Sequence, residues 1–112
     1  MVIEVNDATI PVDPEGYLLD PANWSEAVAE ELARREGITL GADHWKVIGF
    51  MRDFYAEHGI APAVRFTIKY IATELGKGRS ANPYLLELFP YGYVTQACKI
   101  AGMRRPRAWS TG

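Results

Sequence analysis

Cys98 is the one cysteine of this 112-residue chain and its one strong nucleophile candidate. A thiol carries, attacks or exchanges groups through its thiolate, so its surroundings decide what it can do. Val94, Ala97, Cys98 and Ala101 fall at i, i+3, i+4 and i+7, which places the sulfur on the apolar side of a helix. A free cysteine on such a stripe reads as a small core hydrophobe. Burial raises a thiol pKa, and so does a place near a helix C-terminus. Lys99, Arg104 and Arg105 lie close in sequence and pull the other way. On spacing alone the packed core residue is favoured.

The other reactive residue types form no constellation. His44 and His58 stand at opposite ends of one helical pattern, about 21 Å apart at the α-helical rise, and read as helix-terminus groups. One cysteine makes no internal disulfide, and with two histidines it makes no structural zinc site. Glycine-rich phosphate loops, metalloprotease and nucleophile-elbow motifs and paired carboxylates are all missing, so no cofactor or metal is expected. Trp24 and Trp45 fall on apolar stripes and read as core. Trp109 lies on no stripe.

Charge is unevenly distributed. Residues 1 to 33 hold eight acids and no Lys or Arg, whereas residues 64 to 112 hold eight bases against Glu74 and Glu87. The two halves either neutralise each other in the fold or leave a basic surface for an anionic partner. Such a partner would be nucleic acid, an acidic protein face or an anionic sulfur species. Arg65, Lys99, Arg104, Arg105, Arg107 and Trp109 are the candidate contacts.

These residues have to be positioned by the elements around them. Val2–Val5 and Thr9–Val12 read as a hairpin about Asn6-Asp7, followed by turn residues Asp13-Pro14-Glu15-Gly16. Asp20-Pro21 reads as the start of a first helix bearing Trp24, Val28 and Leu32, stopped by Gly37. A second helix, 42–58, is apolar around much of its circumference and is expected at the centre. A third opens at Pro62 and closes at Gly76. After a loop over 77–81, a fourth begins at Asn82-Pro83 and is broken by Pro90-Tyr91-Gly92. A fifth spans 93–101 and ends at Gly102. The expected architecture is mainly α: a small five-helix orthogonal bundle with an N-terminal β-hairpin. It is read as one domain, 1–112, with the hairpin and turn over 1–18, the bundle over 20–102 and an extended basic C-terminal arm over 103–112. Composition is that of an ordinary folded domain, with no membrane-length apolar run and no signal peptide, so the cytoplasm is expected. The fourth and fifth helices also suit a helix-turn-helix, whose second helix would offer Thr95, Gln96 and Lys99 to DNA.

Several segments together resemble the DsrC/TusE family of small sulfur-trafficking proteins. They are Asp13-Pro14-Glu15-Gly16-Tyr17-Leu18, Trp24, His44-Trp45, Arg52-Asp53-Phe54-Tyr55, Ala61-Pro62-Ala63-Val64-Arg65, Tyr84-Leu85, Leu88-Phe89-Pro90-Tyr91-Gly92 and Gln96-Ala97-Cys98-Lys99-Ile100-Ala101-Gly102. They run in family order along nearly the whole chain. The resemblance implies a carrier of persulfide sulfur, a sulfurtransferase-type protein that is no stand-alone enzyme. Its partners would come from a sulfur-relay or sulfite-reduction system, as for the gamma subunit of dissimilatory sulfite reductase. In the family a penultimate cysteine on the arm carries the sulfur, and DsrC-type members add a second cysteine at the position matching Cys98. TusE-type members lack that second cysteine and relay sulfur toward tRNA thiolation. Here the penultimate residue is Thr111, and Trp109 stands eleven residues after Cys98. Tyr93 replaces a family proline, and Thr95 replaces the usual lysine. Three readings follow: a sulfur relay using Cys98, a regulatory or decoy paralogue that docks without carrying sulfur, and a DNA-binding regulator.

Overall fold

The computed structural model describes residues 1–105. Strands β1 (Val2–Val5) and β2 (Ala8–Pro11) pair antiparallel, with Val5 opposite Ala8 and Ile3 opposite Ile10. Asn6 and Asp7 close the hairpin at φ 49° and 67°, the left-handed pair that a two-residue turn demands. Asp13 then organises the next turn, its carboxylate accepting from the backbone N–H groups of Glu15 and Tyr17.

Asp20 caps a 3-10 turn, Pro21–Asn23, rather than the first α-helix. Trp24 is extended, and Ser25 caps α1 (Glu26–Arg35) by accepting from the Val28 N–H. The expected helix start is therefore displaced by one turn, because a serine hydroxyl three residues before Val28 supplies the better cap. Helix α2 (Ala42–His58) is held at its N-terminus by His44 and ended by Gly59. Helix α3 (Val64–Glu74) follows, and a 3-10 turn at Gly78–Ser80 leads into α4 (Ala81–Leu88).

Helix α2 does lie at the centre. Val47, Ile48 and Met51 are buried, and Phe50 stacks on Tyr70 of α3 at 4.6 Å. His44 bonds the Leu88 carbonyl at the end of α4, and Asp43 accepts from Tyr84. The His44 Nδ1 accepts from the Gly41 N–H while Nε2 faces Leu88, so the neutral ring with its proton on Nε2 satisfies both bonds. The core runs continuously from Ile3 and Leu18 through α1 and α2 to Phe89, Cys98 and Met103. Burying each large apolar side chain there contributes about 1.5–3 kcal/mol.

Candidate functional site

The fifth helix is not α-helical over most of its length. Tyr93–Cys98 forms a π-helix, and helical hydrogen bonding tightens only at Lys99 and Ile100. A six-residue stretch cannot announce this in its periodicity, and π turns are uncommon and concentrated at functional sites. Gly92 enters the segment at φ +105°. Gly102 closes it at φ +80°, with the Met103 N–H on the Cys98 carbonyl and the Gly102 N–H on that of Lys99. That pair of bonds is a Schellman ending, which requires the left-handed residue glycine supplies.

Side chains from distant parts of the chain tie this segment down. The Tyr17 hydroxyl donates to the Val94 carbonyl at 2.9 Å, and the Trp24 indole N–H donates to that of Ile100 at 2.9 Å. Arg52 reaches from α2 to the Ala101 and Pro21 carbonyls, with its guanidinium 4.5 Å over the Trp24 ring. Gln96 is buried; its amide oxygen accepts from the Tyr91 N–H and its amide nitrogen donates to Glu36. The second Glu36 oxygen accepts from Lys99 at 3.1 Å. The Tyr93 hydroxyl donates to the Pro62 carbonyl at 2.6 Å and meets the Thr67 hydroxyl at 3.0 Å. Every buried side-chain polar atom among the described residues has a partner.

Cys98 sits inside this belt with 0% of its surface exposed. Loss of solvent pushes the thiol up to about 12, and the nearby Tyr93 hydroxyl offsets only part of that. Of the cations expected to favour a thiolate, Lys99 is paired with Glu36, Arg105 with Glu15, and Arg104 is exposed at the surface. In this closed state the sulfur is neutral and out of contact with solvent.

The other residues singled out from the sequence are dispersed. Lys99 crosses the Tyr17 ring at 5.2 Å and, with Glu36, Gly16 and Glu15, lines a cleft of about 180 Å³ beside the hairpin. Arg105 joins the same neighbourhood through Glu15. Arg104 is exposed. Arg65 is exposed on the first turn of α3, its guanidinium 4.6 Å over Phe66. Arg107 and Trp109 lie outside the described residues. A larger groove of about 910 Å³, between β1 and α1 and lined in part by Trp45, touches none of the described candidates. No group of three His, Cys, Asp or Glu side chains suited to a metal occurs among the described residues.

The DNA-reading expectation is corrected. Gln96 points into the core, Lys99 is paired with Glu36, and the Thr95 hydroxyl donates back to the Tyr91 carbonyl. A recognition helix needs such groups facing outward toward base edges. Residues that sequence reasoning missed are Glu36, Arg52, Thr67 and the polar ends of Tyr17, Trp24 and Tyr93. Arg52 carried one readable signal, a cation on the helix expected at the centre, which needs buried acceptors to remain there.

Comparison with known proteins agrees with this geometry. Residues 4–108 match the family model described as DsrC like protein, and the chain belongs to that family. It is 47% identical over 104 residues to the sulfurtransferase TusE of Sodalis glossinidius, covering 93% of this chain and 96% of that one. It is 50% identical over 94 residues to the TusE of Buchnera aphidicola, covering 84% and 82%. Its fold is similar to that of Allochromatium vinosum DsrC, with TM-score 0.84, 41% identity and 96% and 97% of the two chains covered. The oxidized gamma-subunit of the dissimilatory sulfite reductase (DsrC) from Archaeoglobus fulgidus superposes with TM-score 0.81 at 34% identity, over 96% and 97%. No helix among the described residues is long and apolar enough to cross a membrane.

Proposed function

We propose that this chain is a sulfur-relay protein of the cytoplasm and that Cys98 is its sulfur-carrying thiol, loaded when the 93–98 segment opens. One observation carries the reading: a chain alike over nearly its whole length to proteins named sulfurtransferase TusE holds a single thiol. The chemistry is a sulfane-sulfur transfer without net oxidation. The Cys98 thiolate attacks the outer sulfur of a donor persulfide, R–S–SH. The donor S–S bond breaks, R–S⁻ leaves and takes up the proton Cys98 released, and Cys98–S–SH forms. The closed fold disfavours the first step twice, by burying the sulfur and by holding it protonated. Loading therefore follows opening.

Its partners are proteins of a sulfur-relay or sulfite-reduction system. Lys99 and Arg105, both beside Glu15, and exposed Arg104 are the proposed contacts for an acidic partner face. Arg107 and Trp109 extend that set, and Arg65 supplies a separate contact on α3. The chain is a carrier and needs a donor and an acceptor to complete any reaction.

The test is intact-mass measurement after incubating the reduced protein with polysulfide. A gain of one sulfur mass that disappears in Cys98→Ser supports the carrier role. No gain, or a gain retained in Cys98→Ser, overturns it.

A further inference from the structure

The Tyr93 phenol is nearly as deep in the protein as the Cys98 thiol, at 2% exposed. A phenol has one proton to give and two lone pairs to receive with. Two of these positions are used: the proton goes to the Pro62 carbonyl at 2.6 Å, and the Thr67 hydroxyl approaches at 3.0 Å. Thr67 is itself 0% exposed, and Pro62 is buried where the chain enters α3. One oxygen thus ties the segment that carries Cys98 to both the entry and the body of α3.

Its position in the chain gives that junction leverage. Tyr93 is the first residue of the π-helix and follows Gly92, whose φ of +105° marks a turn in the backbone. The far end of the segment is fastened separately, by the Schellman bonds at Gly102 and by Trp24 and Arg52. Tyr17 at Val94 and Glu36 at Gln96 also hold the 93–98 turn, but from the hairpin and α1 side. Release at Tyr93 would loosen the turn from α3 while 99–103 stays in place. The wide π turn is short and bordered by a glycine, which suits it to local opening.

We propose that Tyr93 is a positioning residue, a latch that holds the Cys98 segment closed against α3 through Pro62 and Thr67. Its use in controlling sulfur loading rests on the relay reading above; the latch itself rests on the contacts alone.

The experiment is native-state thiol labelling of Cys98 at pH 8 across sub-denaturing urea, using a soluble disulfide reagent. Tyr93→Phe keeps the ring and removes the junction. It is expected to label about tenfold faster or more without denaturant, because two buried partners lose their bond in the closed state. The dependence on urea should be shallow, as expected for local opening. Ile71→Val, a neighbouring α3 change without polar contacts, should accelerate labelling only as far as it lowers global stability. If Tyr93→Phe does not fold, Thr67→Val removes one arm of the junction and should show a smaller acceleration of the same kind. Labelling that tracks global unfolding, with the full urea dependence in every variant, would overturn the latch. No sulfur donor is used, so a chain that opens locally but never gains sulfur would overturn the relay reading and leave the latch standing.

Discussion

Gly102→Ala gives the sharpest test of how the Cys98 segment is fastened. At φ +80° an alanine incurs the left-handed cost, about 1–2 kcal/mol. The added methyl carbon would also lie 2.4 Å from Trp24 Cδ1, 2.7 Å from Cγ and 2.8 Å from Cβ. Ordinary contact begins at 3.4 Å, so the indole must retreat by about 1 Å. That retreat stretches its 2.9 Å bond to the Ile100 carbonyl beyond useful length. It also withdraws the ring from beneath Arg52, which sits 4.5 Å above it. Losing the hydrogen bond costs about 1 kcal/mol and weakening the cation–π contact about 0.5–1 kcal/mol more. Gly37 supplies the control: its φ is +77°, and an added Cβ would meet nothing within 4 Å. The two variants share the backbone term and differ in the collision. We expect Gly102→Ala to lose about 2 kcal/mol more than Gly37→Ala, read from urea midpoints by circular dichroism with the slope unchanged. Equal losses in the two variants would refute the account of Trp24 as a wedge seated on Gly102.

Glu36→Ala removes the acceptor shared by buried Gln96 and by Lys99, and should cost about 1–3 kcal/mol in chemical denaturation. Glu15→Ala breaks only the exposed pair with Arg105 and should cost under about 1 kcal/mol, a loss that vanishes in high salt. Cys98 and Tyr17 both have folded pKa values near 12, above their ordinary values of 9 and 10. The unfolded chain therefore gives up these protons first, and stability present below pH 9 should fall as pH rises toward 12. Cys98→Ala should flatten the first part of that fall in pH-dependent thermal melts. Glu31 moves the opposite way: bonds from Arg34 and Arg35 hold its carboxyl near 2, so its small contribution should fade below pH 4.5 and be suppressed by salt.

Local chemistry was readable wherever one or two residues decide the backbone. Asn6-Asp7 forces the hairpin, and Gly37, Gly76 and Gly102 each end a helix at positive φ. Of the stripe Val94, Ala97, Cys98 and Ala101, the last three are buried and Val94 is half-buried against the core. Gln96 shows where such reading stops. A polar side chain beside the stripe looks exposed until a carboxylate sixty residues away supplies its partner. The split of charge was visible, but not its resolution, since Glu15–Arg105 and Glu36–Lys99 are pairings made by the tertiary fold. Trp24 was read as a helical core residue, whereas Ser25 takes the cap and leaves the indole to close over Gly102. The family pattern identified the chain, and only the three-dimensional structure shows how deeply its thiol is enclosed.

The central claim, a carrier thiol loaded only after the fold opens, is tested most directly by the rate of Cys98 persulfidation against donor concentration. Persulfidation should be slow in the parent chain and about tenfold faster or more in Tyr93→Phe at the same donor concentration, because the open fraction is larger. A rate that Tyr93→Phe leaves unchanged, or a chain that gains no sulfur at any concentration, would contradict it.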